Sequence, residues 1–294
     1  MQRTAPRPAS FAALTAVFSF FAFSPSFARA GRAPVSALTD PFGTTAALSG
    51  GGTAVVGDLS AADANPAGLA LSKEISIMGE ARWRDVNIRA VEAGVHDSLM
   101  SEVSAGLKAR LSTRASGAKD RRFTLGLAER MGDGPLVIGI GGDYIQVQRS
   151  KAETDAGKSK YIDTPRLRAG IVYNLSEFFL FGLRTDGWLD HVRKETSNAV
   201  GLAFGFAGYY VLNGDLIFRD VKMNKTTVGI TVLPKAYLDL RLSYGYGIES
   251  KLNSGAVGVA LKSDAFRLYY TLAKPVLREK PIDHSIGAGF IITM

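Results

Sequence analysis

From residue 74 onward the chain alternates with period two, and that pattern limits its fold more than any other feature. In EISIMGEARWR, Ile75, Ile77, Gly79, Ala81 and Trp83 share one face, and Ser76, Glu80, Arg82 and Arg84 share the other. SEVSAGLKARLS sets Val103, Ala105, Leu107, Ala109 and Leu111 against Glu102, Ser104, Gly106, Lys108 and Arg110. RLRAGIVYNL and AYLDLRLSYGY repeat the scheme, with Arg166 and Arg168 in the first and Asp239 and Arg241 in the second on the polar side. In VGLAFGFAGYY the second face is small instead of polar: Gly201, Ala203, Gly205 and Ala207. Side chains two residues apart share a face only in an extended strand, so these segments are strands.

About fourteen such segments follow one another: 74–84, 86–95, 101–112, 122–130, 135–148, 165–175, 178–188, 198–210, 215–221, 226–233, 236–246, 255–262, 265–272 and 285–294. Most run to about ten residues, the length of a tilted strand that crosses a bilayer. Strands of soluble proteins average about 5–6 residues. The connections alternate as well. GDG (132–134), SE (176–177), NGD (213–215), PK (234–235) and SDA (263–265) are short. Between them fall longer polar stretches such as STRASGAKDR, RSKAETDAGKSKYIDT, KMNK and AKPVLREKPID. Short turns on one side and long loops on the other describe an up-and-down meander across an outer membrane. The tight connection at Asp85 is the exception, and it also admits one long bent strand in place of two.

The expected fold is therefore all-β: a transmembrane up-and-down antiparallel β-barrel of about fourteen strands, with twelve as the lower count. A secreted sandwich would alternate too, but it would bury its apolar face. The last strand, HSIGAGFIITM, keeps Ile286, Ala288, Phe290, Ile292 and Met294 on one face, as a strand that closes a barrel must.

The chain begins with a positive leader carrying Arg3 and Arg7, an apolar run from Phe11 to Phe23, and Ala28-Arg29-Ala30. This reads as a secretory signal cleaved near Ala30, too short to span a bilayer as a helix. The expected location is the outer membrane of a Gram-negative bacterium, in contact with its lipid. Three of the positive charges behind the net +8 lie in the leader, and no basic run exceeds two residues, so nucleic acid is not an expected partner. With Cys absent, disulfides and thiol chemistry are excluded.

Between the leader and the strands, residues 31–72 form a different kind of segment, and 73–294 the barrel. Gly50–Gly52 leads into TAVVGDLSAADANPAGLALS. Asp58 and Ser60 can cap a short helical turn over Ala61, Ala62 and Asp63. Pro66 blocks its continuation and pushes Asn65 out of the α region. The result is a compact unit of small residues, a hatch placed inside or beneath the barrel mouth. Asp63, Asn65, Pro66, Ala67, Gly68 and Leu69 are its candidate ligand-binding or gating residues.

Asn65-Pro66-Ala67-Gly68-Leu69, ending a Gly/Ala/Asp-rich segment ahead of some fourteen strands, resembles the FadL-like superfamily of outer-membrane proteins. That group includes long-chain fatty-acid and hydrocarbon transporters and the PorV-like proteins. The resemblance implies a lumen closed by the N-terminal segment and a hydrophobic small molecule as ligand. Through the PorV-like branch it implies instead a protein partner in secretion or surface attachment. The residues after Ser72 suffice for fourteen strands and tight turns but not for the long loops from which the transporters build an apolar groove.

Chemistry of other kinds finds no support. His96, His191 and His284 each have an acidic neighbour, but adjacent strand residues face opposite ways and do not chelate a metal. Asp283-His284-Ser285 fails as a catalytic set for the same reason. GIGGDY (139–144) lies within a strand pattern with no following helix, so it is not a nucleotide loop. No catalytic residue, cofactor or metal is expected. Trp83, Trp188, Tyr144, Tyr173, Tyr244 and Tyr246 fit an interfacial girdle. Arg82, Arg110, Arg168, Asp239 and Arg241 are expected to line the lumen as charge pairs.

Overall fold

A computed structural model describes residues 52–54, 59–84, 87–113, 117–148, 161–176, 178–189, 196–206, 209–235, 237–248, 251–275 and 282–292. The expected leader and most of residues 31–58 lie outside these, as do His191, Met294 and the Asp85 connection. Fourteen strands form one closed antiparallel sheet in chain order. The first five are β1 (Ile75–Arg84), β2 (Asn87–Asp97), β3 (Val103–Thr113), β4 (Lys119–Arg130) and β5 (Leu136–Gln148). Next come β6 (Tyr161–Ser176), β7 (Phe179–Trp188), β8 (Ser197–Phe206), β9 (Tyr210–Arg219) and β10 (Lys222–Lys235). β11 (Leu238–Gly247), β12 (Leu252–Lys262), β13 (Phe266–Pro275) and β14 (Asp283–Ile292) complete the ring. β14 pairs with β1 from Ile75↔Ile292 to Arg84↔Asp283, so the sheet has no edge. Closure leaves no unpaired backbone row to face an apolar solvent.

The two faces are inverted relative to a soluble protein. Ile77, Ile140 and Phe290 are each more than 60% exposed. Asp239 and Arg168, by contrast, are at most 2% exposed. Along β8 the inward positions are Ala199, Gly201, Ala203 and Gly205, while Leu202 and Phe204 point outward. An apolar exterior around a charged interior is stable when lipid is the outside solvent. Aromatic side chains gather near strand ends. Trp83 stacks on His284 across β1 and β14 at 5.5 Å, and the Tyr270 hydroxyl lies 2.7 Å from His284 Nδ1. Arg84 closes the same rim with a two-pronged pair to Asp283 at 2.6 and 2.7 Å.

Three expected connections are corrected. Asn213-Gly214-Asp215, read as a turn, lies within β9, and the β8–β9 connection is 207–209. Asn-Gly-Asp favours a turn locally, but here both polar side chains point into the lumen and face glycines across the ladder. A Cβ on Gly201 would stand 2.5 Å from Asp215 Oδ1, and one on Gly229 would stand 2.7 Å from Asn213 Oδ1. KMNK, read as a long loop, begins β10; the turn is Asp220-Val221, with Asp220 in the left-handed region at φ 53°. Pro234-Lys235 ends β10, where the pairing with β11 shifts register and the missing proline N–H breaks no regular ladder. Segments 1 and 2 are two antiparallel strands, not one bent strand.

Because Ile140 is outward and central in β5, Ile140→Arg should lower folding stability by about 2–4 kcal/mol in lipid vesicles. Urea unfolding of the vesicle-inserted protein measures this. A change below about 0.5 kcal/mol, ordinary for a soluble surface, would contradict a lipid-facing exterior.

Candidate functional site

The segment ahead of β1 lies inside the barrel. Ala61–Ala64 form a single helical turn, α1, and Pro66–Ala70 a 3-10 turn. Asn65 separates them in extended backbone (φ −156°, ψ 109°), as the following proline requires. Its carboxamide oxygen accepts the Ala67 N–H at 3.2 Å and so caps the 3-10 turn. Its NH2 group faces three carbonyls: Thr53 at 2.6 Å, Ile171 of β6 at 3.2 Å and Leu183 of β7 at 3.3 Å. One side chain thus ties the segment to itself and to the wall. Ser60 occupies the N-cap position of α1 but makes no side-chain cap bond, because its own backbone is already helical (φ −66°, ψ −19°). Asp58 lies outside the described residues.

The wall beneath the segment is glycine. A Cβ on Gly170 would lie 1.7 Å from Asn65 Oδ1, and one on Gly139 would lie 2.3 Å from the Ala67 nitrogen. Gly106 and Gly126 make room for Leu69, and Gly182 makes room for Thr53. In register, Gly139 faces Gly170 and Gly106 faces Gly126, so these residues form a cleared track over neighbouring strands. Ala67 and Leu69 are fully buried on it. Removing the side chain from a strand weakens that strand, so glycines of this kind mark a close backbone approach.

Above the track lies a network of charge. Asp63 of α1 pairs with Lys108 and with Arg122 at 2.7 Å, and Arg168 stands 3.6 Å away. Lys108 also reaches Glu92 at 2.9 Å. Asp143 binds both Arg122, at 2.8 Å, and Arg168. Arg168 donates to the Ala62 carbonyl, and Arg184 to the Ala64 carbonyl at 2.7 Å, so the helical turn's free carbonyls meet guanidinium groups. Burial pushes the Asp63 carboxyl up, but Lys108, Arg122 and Arg168 together outweigh that and hold it far below the usual carboxylate range. Thr53 is anchored separately: its N–H and hydroxyl donate to Asp215 at 3.1 and 2.6 Å.

At the opposite end of the segment, His96 Nε2 lies 2.9 Å from the Leu69 carbonyl. Glu74, just before β1, binds Arg267 of β13 at 2.8 and 3.2 Å and stands 4.0 Å from His96 Nδ1.

The structure therefore gathers Asp63, Asn65, Pro66, Ala67 and Leu69 at one interface, with Gly68 buried between them. Among the residues expected in the lumen, Arg168 touches the segment, and Arg110 lines a cavity beside it. Arg82 pairs with Glu80 instead. Asp239 and Arg241 form a separate group with Lys262 on β11 and β12. Sequence reasoning placed Lys108 on a polar strand face without linking it to Asp63, and passed over Thr53, Arg122, Asp143 and Asp215. Their inward strand phase was readable, but nothing local shows which of them reach residues 53–69.

This geometry defines a class: a closed fourteen-stranded barrel with a lipid-facing exterior and part of its lumen occupied by its own N-terminal segment. No protein-family model matches the chain, and no curated protein is similar to it in sequence. Solved structures are similar in fold. The toluene transporter TodX of P. putida aligns with a TM-score of 0.56 at 12% identity, over 87% of this chain and 99% of that one. The toluene transporter TbuX of Ralstonia pickettii aligns at 0.54 and 12% identity, over 90% and 98%. The outer-membrane protein Omp33 of Acinetobacter baumannii aligns at 0.50 and 9%, over 76% and 100%. At such identities the shared property is the fold, a closed β-barrel.

Gly139→Val should dislodge the segment while leaving the barrel closed. With no native cysteine, a spin label at Ala70→Cys reports this directly: immobile in the parent, mobile in the variant. The same label should respond to acid. The depressed Asp63 pKa contributes stability that is complete above about pH 4, the ordinary carboxylate value, and is lost as pH falls below it. Label mobility should therefore rise only below about pH 4, and Asp63→Asn should remove that dependence.

Proposed function

We propose that the chain is an outer-membrane barrel that binds or passes small hydrophobic molecules, with residues 53–70 as the gate. One observation carries the reading: the segment is seated on a glycine track by directional polar bonds, not fused into the wall. A part held this way moves as a unit when those bonds exchange. Asn65 is the pivot, since its carboxamide joins Thr53, the 3-10 turn, β6 and β7. Pro66 supplies rigidity, and Leu69 fills the track. The fold shared with the toluene transporters TodX and TbuX supports a hydrophobic cargo and an outer-membrane location. The charged wall contributes by holding the gate shut through Asp63.

The test uses cells lacking their own hydrophobic-uptake barrel, expressing either this protein or its Asn65→Ala variant. The parent should raise uptake of labelled toluene or fatty acid above background. The variant leaves about two buried polar groups unbonded, at about 1–3 kcal/mol each, and should change the uptake rate severalfold. Background uptake with folded barrel in the membrane would refute the reading. A protein that stays bound through detergent extraction would favour a partner-holding role in its place.

A further inference from the structure

A cavity of about 250 Å³ lies against the segment, lined by its Gly52, Thr53, Asp63 and Ala64. Four arginines line it: Arg110 of β3, Arg122 of β4, Arg166 of β6 and Arg184 of β7. We propose that this cavity is an oxyanion site for a small molecule bearing one carboxylate or phosphate group.

Three carboxylates also line the cavity; each has a charged or hydrogen-bonded neighbour, and each keeps a buried Oδ1 without a hydrogen bond. Asp63 is held by Lys108 and Arg122. Asp215 accepts from the Thr53 N–H and hydroxyl. Asp186 lies 3.8 Å from Arg168 Nε, a further cation that does not line the cavity. Against these three carboxylates stand four guanidinium groups. Arg110 makes no hydrogen bond or ion pair among the described residues; Arg82 and Arg122 repel it, and Glu92 and Asp63 attract it without touching it. The buried Nε atoms of Arg122 and Arg184 have no acceptor. A half-buried cation with no carboxylate in contact is poorly compensated, and an entering anion relieves it. Guanidinium forks match carboxylate and phosphate oxygens in pairs, so an oxyanion is preferred to a halide. At about 250 Å³ the space is below the usual 300–1,000 Å³ of a drug-sized site. The ligand is therefore compact, with room for about one ring behind its charged group. The cavity wall is mainly polar, so a neutral hydrocarbon gains little there. The inference does not rest on passage through the lumen, and it stands or falls separately from the gate.

The test is calorimetric titration of the purified full-length barrel with four probes of one shape: benzoate, phenyl phosphate, benzyl alcohol and benzylamine. One of the two anions should bind saturably, at least tenfold tighter than either uncharged or cationic probe, and which one binds tells carboxylate from phosphate. Binding should weaken with added salt. Arg110→Gln should lower the anion affinity at least tenfold, while Arg241→Gln, in the group on β11 and β12, leaves it unchanged. Gel mobility before and after heating checks that each variant is folded, and the parent's probe ranking decides alone if Arg110→Gln is not. Equal binding of all four probes, no binding of either anion, or an unchanged affinity in folded Arg110→Gln would overturn the proposal.

Discussion

The pairing of β1 with β14 is the contact on which the rest of the molecule depends. It joins the two ends of the described sheet, from Ile75↔Ile292 to Arg84↔Asp283. Without it the barrel would present two unsatisfied strand edges to lipid, where no water can bond them. Closure also creates an inside. Once there is an inside, every second residue of every strand is buried away from lipid, whatever its polarity, and the charged residues among them must find partners there.

Much of the internal architecture follows from that need. Arg168, Asp143, Lys108 and Arg122 are too deep to be left single, since an unpaired buried charge costs several kcal/mol. They are paired across strands and, through Asp63, to the N-terminal segment. The segment therefore acts as a counterion as well as filling space. Its backbone benefits too: a single turn of helix leaves carbonyls unsatisfied, and Arg168 and Arg184 take two of them. Electrostatics and shape agree on one docking position, with the glycine track setting how closely the backbone approaches the wall.

The pairing is uneven around the ring, and that unevenness gives the interior its character. β11 and β12 carry a compact group, Asp239 with Arg241 and Lys262. β3, β4, β6 and β7 each place one guanidinium group around a cavity beside the segment. The N-terminal segment and the cavity meet at the Asp63–Arg122 pair.

Strand number, the exposed apolar face and the inward phase of Arg82, Arg110, Arg168, Asp239 and Arg241 were legible in the sequence. All depend on local period-two alternation, which survives without knowledge of partners. The break at Asn65-Pro66 was legible for the same reason, being set by proline's covalent geometry. Turn assignment at Asn213-Gly214-Asp215 and at residues 222–225 was not, because a local turn preference yields to pairing along the whole strand. The counterions of Asp63 were equally hidden: Lys108, Arg122 and Arg168 are distant in sequence, and many inward charges competed for the role. The sequence by itself determined a closed barrel with its polar face inward, since no other arrangement satisfies both that alternation and lipid. Only the tertiary structure decided which glycines form the track, which arginines hold the segment and which one is left without a partner, because those depend on strand register and on where the segment comes to rest.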